Sequence, residues 1–205
     1  MRQLSGLYAI TDGRLSTDGK LIQAVSEAIA GGARIIQYRD KSGDQARRTN
    51  EARQLLQLCR QHHATLIIND DVALAAKIGA DGVHLGRDDG NIESARQQLP
   101  KGIIGVSCYN DWQRAQAATQ SGADYIAFGA FFPSSTKPDA SRAEPTLLRR
   151  VKQELNVAVV AIGGITAENG APLIAAGADM LAVVQGVFGQ PDIRQAARQY
   201  TDLFN

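Results

Sequence analysis

With 205 residues, 44% of them apolar, and a formal net charge of +1, the chain has enough material for one domain with a large core, and neither disorder nor a general nucleic-acid surface is indicated. No apolar run reaches the roughly 18 residues of a membrane-crossing helix, and the start MRQLSGLYAIT lacks the apolar stretch of a secretion signal. Cys59 and Cys108 form no CxxC pair, so the expectation is two reduced thiols in a cytoplasmic protein.

The first strand is expected at 6–11, followed by the helical pattern LIQAVSEAIA, in which Leu21, Val25 and Ile29 recur four apart. A phrase then repeats along the chain: GGARIIQYRD, IGADGVHLG, SGADYIAFG and AGADMLAVV. In each, a glycine fits a left-handed helix end and the apolar run after it fits a buried strand. Between the phrases lie helical stretches such as QARRTNEARQLLQLCR, with Ala52, Leu55, Leu56 and Cys59 on one face. The further strands are expected at 33–40, 64–69, 82–86, 102–107, 124–129, 158–163 and 180–186, with a helix after each and the last helix near 191–203. Strict alternation means parallel strands, and eight βα units in this length imply a single (β/α)8 TIM barrel over 1–205, with an open doubly wound sheet as the alternative.

A barrel of this kind carries its site at the C-terminal ends of the strands. The second strand ends in QYRDK, where Gln37, Arg39 and Lys41 share one face and Tyr38 and Asp40 the other. The first set forms a donor ladder suited to a polyanion, although a solvated charge run has the same spacing. The third strand ends at Asn69 and Asp70, and the fourth leads to Asp89. Neighbouring strands lie about 4.8 Å apart, so the two carboxylates can meet over the mouth and, as hard oxygen ligands, suit Mg2+ shared with a phosphate. Helix capping competes for the same residues, with Asp71 and Asp88 the better cap candidates. After the sixth strand comes a connection of about fourteen residues carrying Ser134, Ser135, Thr136 and Lys137, all able to donate to phosphate. The seventh strand ends in IGGIT and the eighth in AVVQGVF, the two loops that often hold a phosphate in such barrels. The pattern is one of two anion sites and suggests a two-substrate transfer.

The motifs QYRDK, INDD, GVHLGRDD, GVS, STK and IGGIT, in this order over essentially the whole chain, resemble those of the thiamine-phosphate synthase family. The resemblance implies a (β/α)8 barrel that joins a 4-amino-2-methylpyrimidine carrying a diphosphooxymethyl group to 4-methyl-5-(2-phosphoethyl)thiazole, releasing pyrophosphate with Mg2+ as cofactor. It implies that Gln37, Tyr38, Arg39, Asp40, Lys41, Asn69, Ser107 and Lys137 hold the pyrimidine diphosphate, with Arg39, Lys41, Ser107 and Lys137 catalytic and Arg39, Lys41 and Lys137 stabilising the leaving pyrophosphate. It implies that Asp70 and Asp89 ligate the metal, and that Ser134, Ser135, Thr136, Gly164, Val184 and Gln185 contact the thiazole phosphate. Four positions depart from the family pattern: Ser134 for threonine, Ala130 for proline, Tyr109 for histidine and Gln185 for serine. The alternatives are the related thiazole tautomerase and a non-catalytic sensor on the same barrel. Small molecules are the expected partners, with no nucleic acid and no membrane; a homo-oligomer is left open.

The remaining polar residues have plain readings. His84, between Val83 and Leu85, is expected to be a hydrogen-bonded histidine inside the barrel, and His62 and His63 to sit at a helix end. Trp112 and Tyr125 are read as packing residues. Cys108 follows Ser107 but has no evident histidine partner, so no side-chain nucleophile is expected.

Overall fold

The computed structural model describes residues 4–14, 19–133 and 142–205. Its strands are β1 (Gly6–Ile10), β2 (Ile35–Tyr38), β3 (Thr65–Asn69), β4 (Gly82–Leu85), β5 (Ile103–Tyr109), β6 (Tyr125–Phe128), β7 (Ala158–Ile162) and β8 (Met180–Val183). They pair in parallel in chain order, and β1 pairs with β8, Leu7 opposite Leu181 and Ala9 opposite Val183. That last ladder closes the sheet and excludes the open alternative. The helices are α1 (Leu21–Ala30), α2 (Gln45–Gln61), α3 (Val72–Ile78), α4 (Ile92–Gln98), α5 (Trp112–Gln120), α6 (Pro145–Glu154), α7 (Ala171–Ala175), α8 (Gln185–Phe188) and α9 (Ile193–Thr201).

Side chains alternate across each strand, which splits the core into two layers. Tyr8, Ile10, Ile35, Ile67, Val160 and Met180 fill the barrel, whereas Leu7, Ile36, Leu66, Ile68 and Leu181 face the helices. Burial on both faces is why the strands read as continuous apolar runs rather than as alternating ones. Trp112 packs against the outer layer with the Arg150 guanidinium 4.0 Å from its ring centre, as its reading as a packing residue requires.

The repeated phrase does two jobs. Its glycine ends a helix in the left-handed region, as at Gly79 (φ 70°), a conformation other residues adopt only at a cost. Its aspartate ties the bottom of the barrel together. Asp81, Asp124 and Asp179 stand just before β4, β6 and β8, and each accepts a backbone N–H of the preceding strand, from Leu66, Ile104 and Val159, at 2.8 Å. The staples lie at the end of the barrel opposite the polar strand ends.

Three local expectations are corrected. β8 stops at Val183, because Val184 (φ −109°, ψ −82°) leaves the extended region and Gln185 opens the one-turn helix α8. β5 continues to Tyr109 through a register shift between Ser107 and Tyr109, with Tyr109 itself at φ 57°. The cap of α4 is neither Asp88 nor Asp89 but Asn91, whose Oδ1 accepts the Ser94 N–H at 2.8 Å. Among the described residues no helix is long and apolar enough to cross a membrane.

Candidate active site

At the end of β3 the chain reverses within two residues. Asp70 takes φ 64°, a left-handed conformation that aspartate tolerates better than most side chains, while its N–H donates to His84 O at 2.8 Å. The reversal sends two adjacent aspartates in different directions. Asp71 accepts the Leu74 N–H at 2.8 Å as the cap of α3, and its other oxygen pairs with Arg48 at 2.9 Å. Asp70 instead turns over the mouth to meet Asp89, which a hydrogen bond from the Gly86 N–H at 2.8 Å holds in place. The two carboxyl groups lie within hydrogen-bonding reach of each other.

Two facing carboxylates need a proton or a cation between them. Burial and the neighbouring Asp70 push Asp89 above its ordinary value. Burial also acts to raise Asp70, but its bonds to Asp89, Lys41 and Asn69 outweigh this and hold it below the usual carboxylate range. Lys41 Nζ sits 2.9 Å from Asp70 Oδ2. Among the described residues no cluster of three or more histidine, cysteine or acidic groups forms a closed metal cage. A pair of hard oxygen ligands open to solvent fits Mg2+, which keeps several waters and takes further oxygens from a phosphate.

The end of β2 divides as alternation demands. Gln37 points into the barrel, buried, with Nε2 donating to the Tyr8 hydroxyl at 2.7 Å. Arg39 is anchored by its backbone N–H on Thr11 Oγ1 at 2.9 Å, and its charge acts on Asp12 just after the neighbouring β1. Tyr38 lies on the helix side, its hydroxyl donating to Glu51 at 2.6 Å. Asp40 is spent on Arg47 at 2.7 Å and on the Ser42 N–H at 2.7 Å. Contacts from Tyr38 and Asp40 to a ligand at the mouth would therefore come from the backbone, with the side chains fixing the loop. Asp40, Lys41, Ser42, Arg48, Asn69, Asp70 and Asp71 line an open cleft of about 320 Å³.

From β5, Ser107 points inward and bonds His84 Nε2 at 2.9 Å, which places His84 as the expected interior histidine. Arg114 of α5 supports this strand end by donating to Ser107 O at 2.7 Å and Gly86 O at 2.9 Å. Cys108 faces the other way, and burial pushes its thiol up to about 12.

The ends of β7 and β8 are neighbours, with Ile162 opposite Ala182. Gly163 (φ 102°) and Gly164 (φ 62°) form a turn that Phe132 closes through an N–H bond to Gly163 O at 3.0 Å. A Cβ on Gly164 would strike Pro133 O, so this close approach needs glycine. The Gln185 side chain does not stand over this turn; its Nε2 donates to Asp12 Oδ2 at 2.8 Å. Asp12, held below the usual range chiefly by the Arg14 guanidinium, was not singled out in the sequence, because one aspartate after a strand carries no motif. Tyr8 and Arg114 were missed for the same reason. Ser134, Ser135, Thr136 and Lys137 lie outside the described residues.

Comparison with known proteins gives a consistent picture. The family model described as thiamine monophosphate synthase matches residues 7–187. A thiamine-phosphate synthase of Nitrosococcus oceani is 54% identical over 98% of this chain and 93% of its own length. One of Thiobacillus denitrificans is 52% identical over 97% of this chain and 94% of its own. Among solved structures, a thiamine phosphate pyrophosphorylase from Pyrococcus furiosus superposes with a TM-score of 0.89 at 35% identity, covering 98% of this chain and 96% of that one.

Proposed function

The chain belongs to the thiamine monophosphate synthase family, and from that premise we propose how its barrel mouth performs the family's reaction. It is a transferase that forms thiamine phosphate from two small-molecule substrates with release of pyrophosphate. The pyrimidine diphosphate sits against β2, β3 and β5, with Gln37, Asn69 and Ser107 around it and Arg39 and Lys41 toward its phosphates; the resemblance to the family adds Lys137 to this set. The thiazole phosphate sits on the turns after β7 and β8, near Gly164, Val184 and Gln185; the resemblance to the family adds Ser134, Ser135 and Thr136 as its contacts. The observation that carries this reading is the pairing of Asp70 with Asp89 beside Lys41 at the strand ends.

Asp70 and Asp89 would hold Mg2+, which when bound supplies positive charge to the diphosphate oxygens. Arg39, Lys41 and Lys137 add charge-assisted donors to the same group. The bond between the pyrimidine methylene carbon and the diphosphate oxygen breaks with its electron pair leaving on pyrophosphate. The aminopyrimidine delocalises the positive charge left on the methylene. The thiazole nitrogen then donates its lone pair to that carbon, giving the thiazolium product without proton transfer. Holding the thiazole phosphate keeps the nitrogen within reach. No side-chain nucleophile takes part, and the protonated, outward-facing Cys108 supports that. A cytoplasmic setting suits the two buried, unpaired cysteines.

Single-turnover rates with a fluorinated pyrimidine diphosphate test the order of bond breaking. Electron withdrawal destabilises the developing cation, so the chemical step should slow strongly; an unchanged rate in a chemistry-limited regime would favour direct displacement instead.

A further inference from the structure

Below the mouth, in an otherwise apolar interior, five polar side chains from five strands are joined end to end. Gln37 Nε2 donates to Tyr8 Oη at 2.7 Å, and the Tyr8 and Tyr125 hydroxyls are 2.7 Å apart. The Tyr125 hydroxyl meets His84 Nδ1 at 3.0 Å, and His84 Nε2 meets Ser107 Oγ at 2.9 Å. Both tyrosines are 1% exposed or less, so every donor left unmatched there costs free energy. The fold makes room for the chain of bonds. Gly105 lies between His84 and Tyr125 in strand register, and a Cβ on it would overlap the Tyr125 phenol. Glycine weakens a strand interior, and here its missing side chain is what lets Tyr125 reach across β5 to His84.

With the Gln37 amide placed as it is, Nε2 toward Tyr8, the bonds run one way. Among the described residues the Tyr8 hydroxyl has two partners, Gln37 and Tyr125. It accepts from Gln37, so its own proton is satisfied only on Tyr125. Tyr125 then passes its proton toward His84 Nδ1, and His84 donates from Nε2 to Ser107. In this order each hydroxyl accepts once and donates once, which leaves the Ser107 proton available to the mouth. Gln37, having turned its NH2 inward, has its carbonyl oxygen left to accept. The reverse order is consistent only if the Gln37 amide turns over.

We propose that Tyr8, Tyr125 and His84 are positioning residues whose one-way run of hydrogen bonds fixes the Gln37 amide with its oxygen toward the ligand and makes Ser107 a donor. The mouth then selects a 4-aminopyrimidine, whose amino N–H needs an acceptor, over the 4-oxo form, which offers an acceptor in its place. Ser107 donates to a pyrimidine ring nitrogen, which accepts. The proposal rests on the placement of the pyrimidine diphosphate against β2 and β5.

The test is calorimetric binding of the 4-amino and 4-oxo pyrimidinylmethyl diphosphates without thiazole phosphate, with inorganic pyrophosphate as reference. The unsubstituted chain should bind the amino form about 10²-fold or more tightly than the oxo form, because a buried acceptor facing an acceptor is strongly penalised. In Tyr125→Phe the Tyr8 proton loses its acceptor and is satisfied again only if the Gln37 oxygen turns inward. The amino-to-oxo preference should then fall about 10-fold or more. Pyrophosphate affinity should stay within about twofold, since it does not meet the Gln37 amide. General loosening of the barrel would weaken all three ligands together and leave the preference intact, so an intact preference in the folded variant overturns the proposal while the binding reading stands. Tyr8→Phe, which breaks the next link, gives the same readout should Tyr125→Phe not fold. A chain with no preference between the two forms to begin with overturns both the proposal and the pyrimidine placement.

Discussion

Asp70 and Asp71 are adjacent and chemically identical, yet they do different work because one backbone angle separates them. The left-handed turn at Asp70 carries its carboxylate to Asp89, and Asp71, at φ −93° and ψ 87°, is left as a helix cap. Asp89→Ala should therefore lower turnover about 10²-fold or more, the scale of one lost electrostatic contact to the leaving group. Asp71→Ala should keep most activity and cost about 1 kcal/mol of stability as a lost cap. Turnover with saturating Mg2+ and thermal melts of both variants separate the two roles, and equal activity loss in both would merge them. Gln185 departs from the family's serine, and its amide is committed to Asp12 rather than to the Gly164 turn. A phosphate there would rely on backbone donors, so Gln185→Ser should change the thiazole-phosphate KM modestly and leave kcat nearly unaltered. Steady-state kinetics with the thiazole phosphate varied decides it; a large fall in kcat would give Gln185 a part in the chemical step. At this scale the sequence showed which carboxylates ended strands and that Asp71 suited a cap. It did not show that Asn91 rather than Asp88 caps α4, because Asp88, Asp89 and Asn91 all satisfy the capping rule and only the chain path selects one.

Elements fix the site through their ends. The loop after β2 is tied to α2 by Asp40, nearly buried and bonded to Arg47 at 2.7 Å. Burial acts to raise the Asp40 carboxyl, but the bonds from the Ser42 N–H and the Arg47 guanidinium outweigh it, so it titrates below its ordinary value. A carboxylate with a lowered folded value contributes its full stabilisation above the unfolded range, near pH 4, and loses it as the pH falls through the lower folded value. Asp40→Asn should be less stable at neutral pH, by about 1–3 kcal/mol for a bonded buried group, and should lose less stability below about pH 4. Denaturant titrations of both proteins between pH 7 and acid measure this, and parallel acid limbs would show that the pair contributes nothing. The repeated glycine-alanine phrase made the strand starts legible, since helix end and buried run adjoin in sequence. The aspartate staples were hidden, because an aspartate before a strand says nothing about which neighbouring N–H it meets. The end of β8 was also hidden: AVVQGVF is apolar enough to continue as strand, and nothing in its local pattern marks the turn at Val184.

For the whole molecule, eight parallel strands closed by the β1–β8 ladder bring residues far apart in sequence to one face. The closed barrel was legible because strand and helix patterns alternate along the whole chain, and the meeting of the Asp70 and Asp89 carboxylates because their strands are neighbours. The interior run from Gln37 to Ser107 was not, because Tyr8 and Tyr125 stand in apolar strands as packing residues would, and their partners lie across the barrel. The mouth is a place where two phosphorylated ligands react, rather than one where they are only sensed. The most direct measurement is to mix the pyrimidine diphosphate and the thiazole phosphate with the protein and Mg2+ and to follow thiamine phosphate and pyrophosphate together. Both products should form in equal amounts, over many turnovers, with formation abolished when a chelator removes the metal. Binding of both ligands without product, or product formation indifferent to the chelator, would contradict this.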